Sequence, residues 1–596
     1  MTTRLEDQQA RAQALDADRS FIVQAPAGSG KTELLIQRYL VLLARVDAPE
    51  EIVAITFTRK AAAEMRGRIL AALESAVGDA PAEEHKRLGW ELAKAALARD
   101  RTQGWHLRDH PARLRVLTID AFNLSLVRRM PWLSQLGGAP ATVDDARPLF
   151  RQAARETLAM LESGGAVAEH AARLLQHLDN QVERSEDLLS VLLSRRDQWL
   201  RHLVSDSPAP LRAELEAAWA AIVTEALREV AGGLTSYAGE VAACASHAAE
   251  MLRNTQPDAP AVACLGLKVL PPASPAAVAQ WRGIAQLLLT NDGDWRKPRG
   301  LNKNNGFPSD TAPQKAAKKR MEGLVGALAG DTNAGRVPTL LSILPDPTFT
   351  DPEWEVIAAL LTLLPEAVQQ LRETLRRGGV ADFIEIAGAA ARALEGRDAE
   401  DGVRHLLLDE FQDTSTSQYR LLEQLVVDWQ PGDGRTLFLV GDPMQSIYRF
   451  REAEVGLFLR AWREGIGPVP LQPVTLRSNF RSDAAIVGWA NRTFAGVFPA
   501  QPDVSTGAVS YSAAAATHPQ AAAQAVHVHP VRVPGEDKAW GVLREAERVA
   551  DLAWQARKES PRQSVAILVR ARTHLAEILP ALRAVDVPYH AVEIDA

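Results

Sequence analysis

The chain has 596 residues, 46% hydrophobic and 24% charged, and a formal net charge of -7. That length exceeds what one core supports, so three or four domains are expected, and the composition argues against global disorder. With a net negative charge, any nucleic-acid binding has to rest on local basic patches.

Two cysteines, Cys244 and Cys264, in unrelated contexts argue against a disulfide framework, a zinc site or an iron–sulfur cluster, and they suit a reducing cytoplasm. The N-terminal run MTTRLEDQQARAQ is charged and has no apolar signal core. No apolar stretch reaches the ~18 residues of a spanning helix. The reading is therefore a soluble cytoplasmic protein with no membrane partner.

In chain order, FIV at 21–23 reads as a short strand, followed by a tight turn and a helix from Lys31. Ala25, Pro26, Ala27, Gly28, Ser29, Gly30, Lys31 and Thr32 fit the phosphate-loop pattern G-x-x-x-x-G-K-[ST], with Ala25 in place of the first glycine. Backbone N–H groups at Gly28, Ser29 and Gly30 can share one concavity, which side chains at the glycines would crowd. The helix start adds free N–H groups and its positive dipole end. In this pattern Lys31 reaches the β- and γ-phosphates of ATP and Thr32 ligates Mg²⁺.

Further apolar runs follow at IVAIT (52–56) and LRVLTI (114–119), alternating with helical patterns, which favours a mainly parallel α/β sheet. From about 146 to 375 the chain is Ala-, Leu- and Arg-rich with helical periodicity, broken by a basic loop at 291–311. This predicts a helical insertion. On a helix after that loop, Lys315, Lys318, Lys319 and Arg320 form a basic cluster, a duplex-DNA contact or a solvated face. Trp295 is either a DNA wedge or a pin for its loop, and the pin is the expectation.

Alternation resumes with HLLLDE at 405–410 and TLFLVGD at 436–442. A strand ending in paired carboxylates delivers them to the sheet edge where ligands bind. Asp409 is expected to anchor Mg²⁺, and Glu410 to act as general base toward the attacking water. Gln445 is placed to sense the γ-phosphate or orient that water. SIYRFR alternates Tyr448 and Phe450 with Arg449 and Arg451, a pattern for sequence-tolerant single-strand stacking. Further on, 512–525 reads as a surface connection, SVAILVR (564–570) and VPYHAV (587–592) as strands, and His527 and His529 as exposed strand residues.

Taken together, these motifs resemble the UvrD/Rep-type superfamily-one DNA helicases, and most of all their AddA/RecB branch. LEDQQ is similar to the family's adenine-reading motif, which makes Gln9 the reader. ITFTRKAAAEMRGRI (55–69) and LTIDAF (117–122) resemble its DNA-contacting motifs, implying DNA contacts at Thr56, Phe57, Thr58, Lys60, Thr118 and Phe122, as well as at Tyr448, Phe450 and Arg451. LRSNFRS (476–482) resembles the motif in which Arg481 contacts the γ-phosphate and Phe480 stacks on adenine.

The resemblance implies an α/β fold: a RecA-like P-loop ATPase lobe in two parts, 1–145 and 376–470. A helical insertion at 146–375 separates them, and the start of a second RecA-like lobe fills 471–596. It implies an ATP- and Mg²⁺-dependent 3′-to-5′ helicase or translocase on single-stranded and duplex DNA, acting in recombination and double-strand-break repair. A nuclease or helicase partner of AddAB/RecBCD type and a nucleoid-associated location are implied too.

Two family motifs, one of T-x-H-x-x-K-G-L-E flavour and one carrying a second γ-phosphate arginine, do not occur here. The expectation is that 1–596 is the N-terminal part of a longer helicase and hydrolyses ATP slowly by itself. Two rivals remain: a non-catalytic, nucleotide-gated DNA clamp or scaffold in a repair complex, and an unrelated P-loop kinase.

Overall fold

The computed structural model describes residues 6–130, 140–143, 145–200, 203, 208–394, 402–447, 454–504, 506–519, 525–533 and 537–590. These form two compact units, one of Met1–Thr118, Glu400–Ser415 and Val426–Ala596, the other of Ile119–Ala399 and Thr416–Leu425.

In the first unit, among the described residues, six strands form one sheet: β1 (Phe21–Gln24), β2 (Ile52–Thr56), β3 (Arg115–Thr118), β4 (His405–Leu408), β5 (Thr436–Gly441) and β6 (Gln472–Thr475), in the order β3-β2-β4-β5-β1-β6. Every pairing is parallel; Phe21 faces Phe438, Ile55 faces Leu408 and Val23 faces Val474 in register. Strands β2, β4 and β5 are buried at every position. Burial on both faces is why they read as unbroken apolar runs instead of alternating ones. Strand β6, read from sequence as the start of the next segment, pairs with β1 in this same sheet.

Helices α1 (Gln8–Ala14), α2 (Lys31–Leu43), α3 (Arg59–Ser75) and α4 (Glu84–Gln103) accompany the sheet. Leu34, Leu35, Tyr39 and Leu42 of α2 join Met65 and Ile69 of α3 and Ala93 and Leu97 of α4 in one core with Phe21, Ile52 and Phe438. Because all strands run the same way, their C-terminal ends form a single edge. That edge carries the turn after Gln24, Thr56–Thr58, Asp409, Asp442 and Leu476–Arg481.

Farther along, Ala546, Ala550 and Ala553 of the helix Lys538–Glu559 pack against Ile578 and Leu582 of the helix Leu575–Ala584. The strands expected at 564–570 and 587–592 need correcting. SVAILVR is extended but pairs with no strand among the described residues: Ile567 and Val569 lean on the helices while Leu568 is 94% exposed. It keeps the in-out alternation of a strand, yet no neighbouring backbone among the described residues accepts its ladder bonds. Residues 587–590 form no strand either, and 591–592 lie outside the described residues. His527 and His529 stack at 6.3 Å on an exposed segment that is not a strand.

The second unit is helical. Two tiny parallel strands, Ala141–Thr142 and Val380–Ala381, tie its ends together. Its buried charges are matched: Arg196, 2% exposed, binds Asp382 at 2.5 and 2.7 Å, and Glu385 meets Arg392 at 3.1 Å. Trp295 packs on this unit's core as a pin. Neighbouring Arg296 caps the helix Val278–Leu288 through the carbonyls of Gln286, Leu287 and Leu289. In the basic cluster, Lys315 and Lys319 are exposed and Arg320 pairs with Glu240. Among the described residues no helix is long and apolar enough to cross a membrane.

Candidate nucleotide site

The turn between β1 and α2 is built by its glycines. Gly28 and Gly30 have φ of +80° and +76°, a left-handed backbone that a side chain would strain. The space is tight as well as the torsion. A Cβ on Gly28 would sit 2.8 Å from Asn479 Oδ1 and 3.0 Å from Arg481 Cβ. The loop is pinned to the sheet by Ala25 N–H donating to Gly441 O at 2.9 Å, and closed by Ser29 N–H to Pro26 O at 3.0 Å. Ser29 is buried, and its Oγ has no hydrogen-bond partner among the described residues.

Lys31, the first residue of α2, reaches the ends of β4: its Nζ lies 2.5 Å from Glu410 Oε2 and 3.6 Å from Asp409 Oδ1. The two motifs, almost four hundred residues apart, thus converge on one ammonium group. Burial raises the Asp409 carboxyl above its ordinary value, against the opposing pull of Lys31. Burial likewise raises Asp413 and Asp442. Glu410 has φ +54°, unusual for a residue with a side chain and a strain of roughly 1–3 kcal/mol that clusters at functional sites.

Gln412 holds the acids in place. Its Nε2 donates to Glu410 Oε2 at 2.8 Å and Asp413 Oδ2 at 3.0 Å, and its Oε1 accepts from Asp442 N–H at 2.9 Å. Gln445, expected to face phosphate, donates instead to Asp442. Ser446 Oγ donates to Asp413 Oδ1 at 3.1 Å.

The segment Leu476–Ser482 wraps the loop from the other side. Asn479 Nδ2 donates to Ala27 O at 3.0 Å, Phe480 N–H donates to Gly28 O at 2.8 Å, and Asn479 Oδ1 accepts the Arg481 and Ser482 N–H groups. Phe480 is 40% exposed and borders Gly30, and Arg481 is exposed beside Gly28. Gln9 is exposed on α1, and Thr32 is half-buried on the first turn of α2.

The expected DNA contacts fare unevenly. Thr56 is buried at the end of β2, with its Oγ1 donating to Thr58 O at 3.2 Å. Phe57 is half-buried, while Thr58 and Lys60 are exposed; Thr58 caps α3 by accepting the Ala61 N–H. Thr118 is buried at the end of β3. Phe122 needs correcting: it is fully buried, on the apolar stripe of Ile119, Leu126 and Val127, so it is a core residue and presents no ring to a base. Tyr448, Phe450 and Arg451 lie outside the described residues.

Sequence reasoning passed over Asp7, Arg11, Gln412 and Asn479. Gln412 and Asn479 stood inside motifs already singled out, DEFQD and LRSNFRS. Asp7 stood inside LEDQQ, four residues before Arg11, but the contacts of this pair with Ser29 and with Arg477–Ser478 lie farther along the chain and left no local signal.

Comparison with known proteins adds to this geometry. A family model described as the UvrD/REP helicase N-terminal domain matches residues 5–227 and 351–464. The chain is similar to the AddA subunit of the ATP-dependent helicase/nuclease from Moorella thermoacetica, 29% identical over 563 residues, covering 86% of this chain and 36% of the relative. The protein of the same name from Desulfitobacterium hafniense is 27% identical over 524 residues, 81% of this chain and 35% of the relative. That of Lysinibacillus sphaericus is 26% identical, covering 80% and 38%. The chain therefore spans about a third of the length of the curated relatives it matches.

Proposed function

The chain belongs to the UvrD/REP helicase N-terminal domain family, and from that premise we propose that it is the ATP-hydrolysing, DNA-tracking portion of a DNA helicase working in recombination and double-strand-break repair. One observation carries the reading: Lys31 meets Asp409 and Glu410 at the C-terminal edge of a parallel sheet, with Asn479–Arg481 closing over the same loop. A glycine turn with no room for a Cβ at Gly28, a buried Ser29 hydroxyl without a hydrogen-bond partner among the described residues, and clustered carboxylates fit a triphosphate with Mg²⁺.

In this proposal the loop N–H groups and Lys31 hold the phosphates, Thr32 and Asp409 hold the metal, and Phe480 carries the adenine, with Gln9 reading its edge. Mg²⁺ held by Thr32 and Asp409 would supply charge neutralisation for the triphosphate. Glu410 takes the proton of the water that attacks the γ-phosphorus, and ADP leaves as the bond to its β-phosphate oxygen breaks. Arg481 answers the charge on the γ-phosphate. Gln445 follows the same site through Asp442.

Thr56, Phe57, Thr58, Lys60 and Thr118 sit along the same edge, so a strand contacting them feels the nucleotide site directly. The two parts of the sheet form one RecA-like lobe in this reading, and residues beyond β6 begin a second. Translocation is 3′-to-5′, and the partner is a nuclease or helicase of the kind implied by the names of the relatives.

The test is single-turnover ATP hydrolysis by the chain and by Lys31→Ala, with and without single-stranded DNA. Hydrolysis stimulated by DNA and lost in the variant is the expected result. Equal turnover in both proteins would sink the proposal.

A further inference from the structure

The nucleotide loop has a second anchor. Arg11, on the exposed-looking helix α1, is only 17% exposed, and its partner Asp7 is 2% exposed. Its guanidinium uses nearly every face at once. Nε and Nη2 donate to the two Asp7 oxygens at 3.0 and 3.1 Å, Nη2 also donates to Ser29 O at 2.6 Å, and Cζ lies over the Phe480 ring, 5.1 Å from its centre.

Asp7 is fixed from the other side. It accepts the Arg477 N–H at 2.8 Å, the Ser478 N–H at 3.0 Å and the Ser478 hydroxyl at 2.8 Å. Burial pushes this carboxyl up, but the Arg11 guanidinium and these donors outweigh it and hold it at about 2. An ordinary helical i,i+4 pair touches neither a loop 18 residues away nor one some 470 residues away.

We propose that Arg11 is a positioning residue of the nucleotide site, locking the Ser29–Gly30 peptide of the phosphate loop and one face of the Phe480 ring into a single arrangement for a base-bearing nucleotide. The inference rests on the ATP-binding reading of this loop.

In a trans peptide the C=O and the following N–H point opposite ways. Holding Ser29 O toward Arg11 therefore turns the Gly30 N–H to the other side, as a donor for phosphate. A guanidinium held against one face of Phe480 leaves only the opposite face for a planar ligand, and the cation–π contact fixes the ring's tilt. Lysine can supply the charge but neither the fork nor the plane.

The experiment compares binding of ATP and of inorganic tripolyphosphate, which lacks a base, to the wild-type chain, Arg11→Met, Arg11→Lys and Lys31→Ala. Arg11→Met should weaken ATP binding about 10- to 100-fold and tripolyphosphate distinctly less, with Arg11→Lys restoring little of the difference. Phe480→Leu combined with Arg11→Met should weaken ATP binding by less than the two single effects multiplied, because the contacts are shared. If Arg11→Met is poorly folded, Phe480→Leu serves in its place: by itself it must narrow the ATP-to-tripolyphosphate gap, and an unchanged gap overturns the proposal.

Unchanged ATP affinity in a folded Arg11→Met protein overturns the proposal. So does an equal loss for both ligands, the signature of a merely structural role. Loss of binding in Lys31→Ala with none in Arg11→Met removes Arg11's role alone, whereas unchanged binding in Lys31→Ala removes the nucleotide site itself.

Discussion

The two ends of the six-stranded sheet both bury charge, and they do so in opposite ways. At the N-terminal end, Arg38 of α2 is fully buried, donating to the carbonyls of Ala14, Asp16 and Arg19 and to Thr436 Oγ1, with the Phe21 and Phe438 rings 5.6 and 5.3 Å away. His405 joins through Thr436 Oγ1 at 2.8 Å. Burial lowers Arg38 to about 10 and His405 to about 3, so the arginine stays charged and the histidine neutral at physiological pH.

At the C-terminal end, Asp409 and Glu410 pair with the ammonium of Lys31, with Asp413 and Asp442 nearby; Asp409, Asp413 and Asp442 have raised carboxyls and Glu410 sits on strained backbone. Buried charge as such is therefore not a site signature. Charge left in excess and held there under strain is what fits a cationic ligand.

Four measurements bear on this contrast. The largest effect is expected from Glu410→Gln, which keeps shape but removes the proposed base: single-turnover hydrolysis should fall about 10²- to 10⁴-fold while ATP still binds. Full turnover in that variant would show the acidic end to be as inert as the other.

Arg38→Met, at the matched end, should do the reverse. Leaving buried carbonyls without donors costs about 3 kcal/mol in urea unfolding, with ATP affinity per folded molecule unchanged. A drop in affinity with no loss of stability would contradict the assignment.

The third test is pH. His405, with an ordinary value of 6.5 lowered to about 3 by burial, stays neutral in the fold while the unfolded chain gains a proton below 6.5. Its stabilising contribution is thus complete above pH 6.5 and is lost as pH falls toward 3, at about 1.4 kcal/mol per pH unit. The raised carboxyls of the site slope the other way, so the measurement is the difference between wild type and His405→Asn between about pH 6.5 and 5.5. A variant as pH-sensitive as wild type would refute the assignment to His405.

Smallest of all, Lys315→Ala and Lys319→Ala change exposed charges in the helical unit, and their melting curves should move by no more than ~0.5 kcal/mol.

How much was legible in the sequence follows from the range of each interaction. FIV, IVAIT, HLLL and TLFLVG were readable because strands buried on both faces must be apolar throughout. SVAILVR carries the same signal and still has no strand partner among the described residues, since apolar composition cannot supply a hydrogen-bonding neighbour. Phe122 misled for a related reason: a ring in the first turn after a strand looks alike as base platform or as core.

The glycine turn and the paired acids were legible because their chemistry is encoded within a few residues. Asp7, Arg11 and Asn479 were not, since each acts on a segment brought close only by folding.

Calorimetric titration of ATP into the 1–596 chain and its Asp409→Asn variant, each with and without Mg²⁺, probes the acidic end of the sheet without relying on turnover. If that end is a metal–nucleotide site, Mg²⁺ strengthens ATP binding to the wild-type chain and gives no such gain in Asp409→Asn. Affinity that ignores Mg²⁺ in both proteins would contradict it.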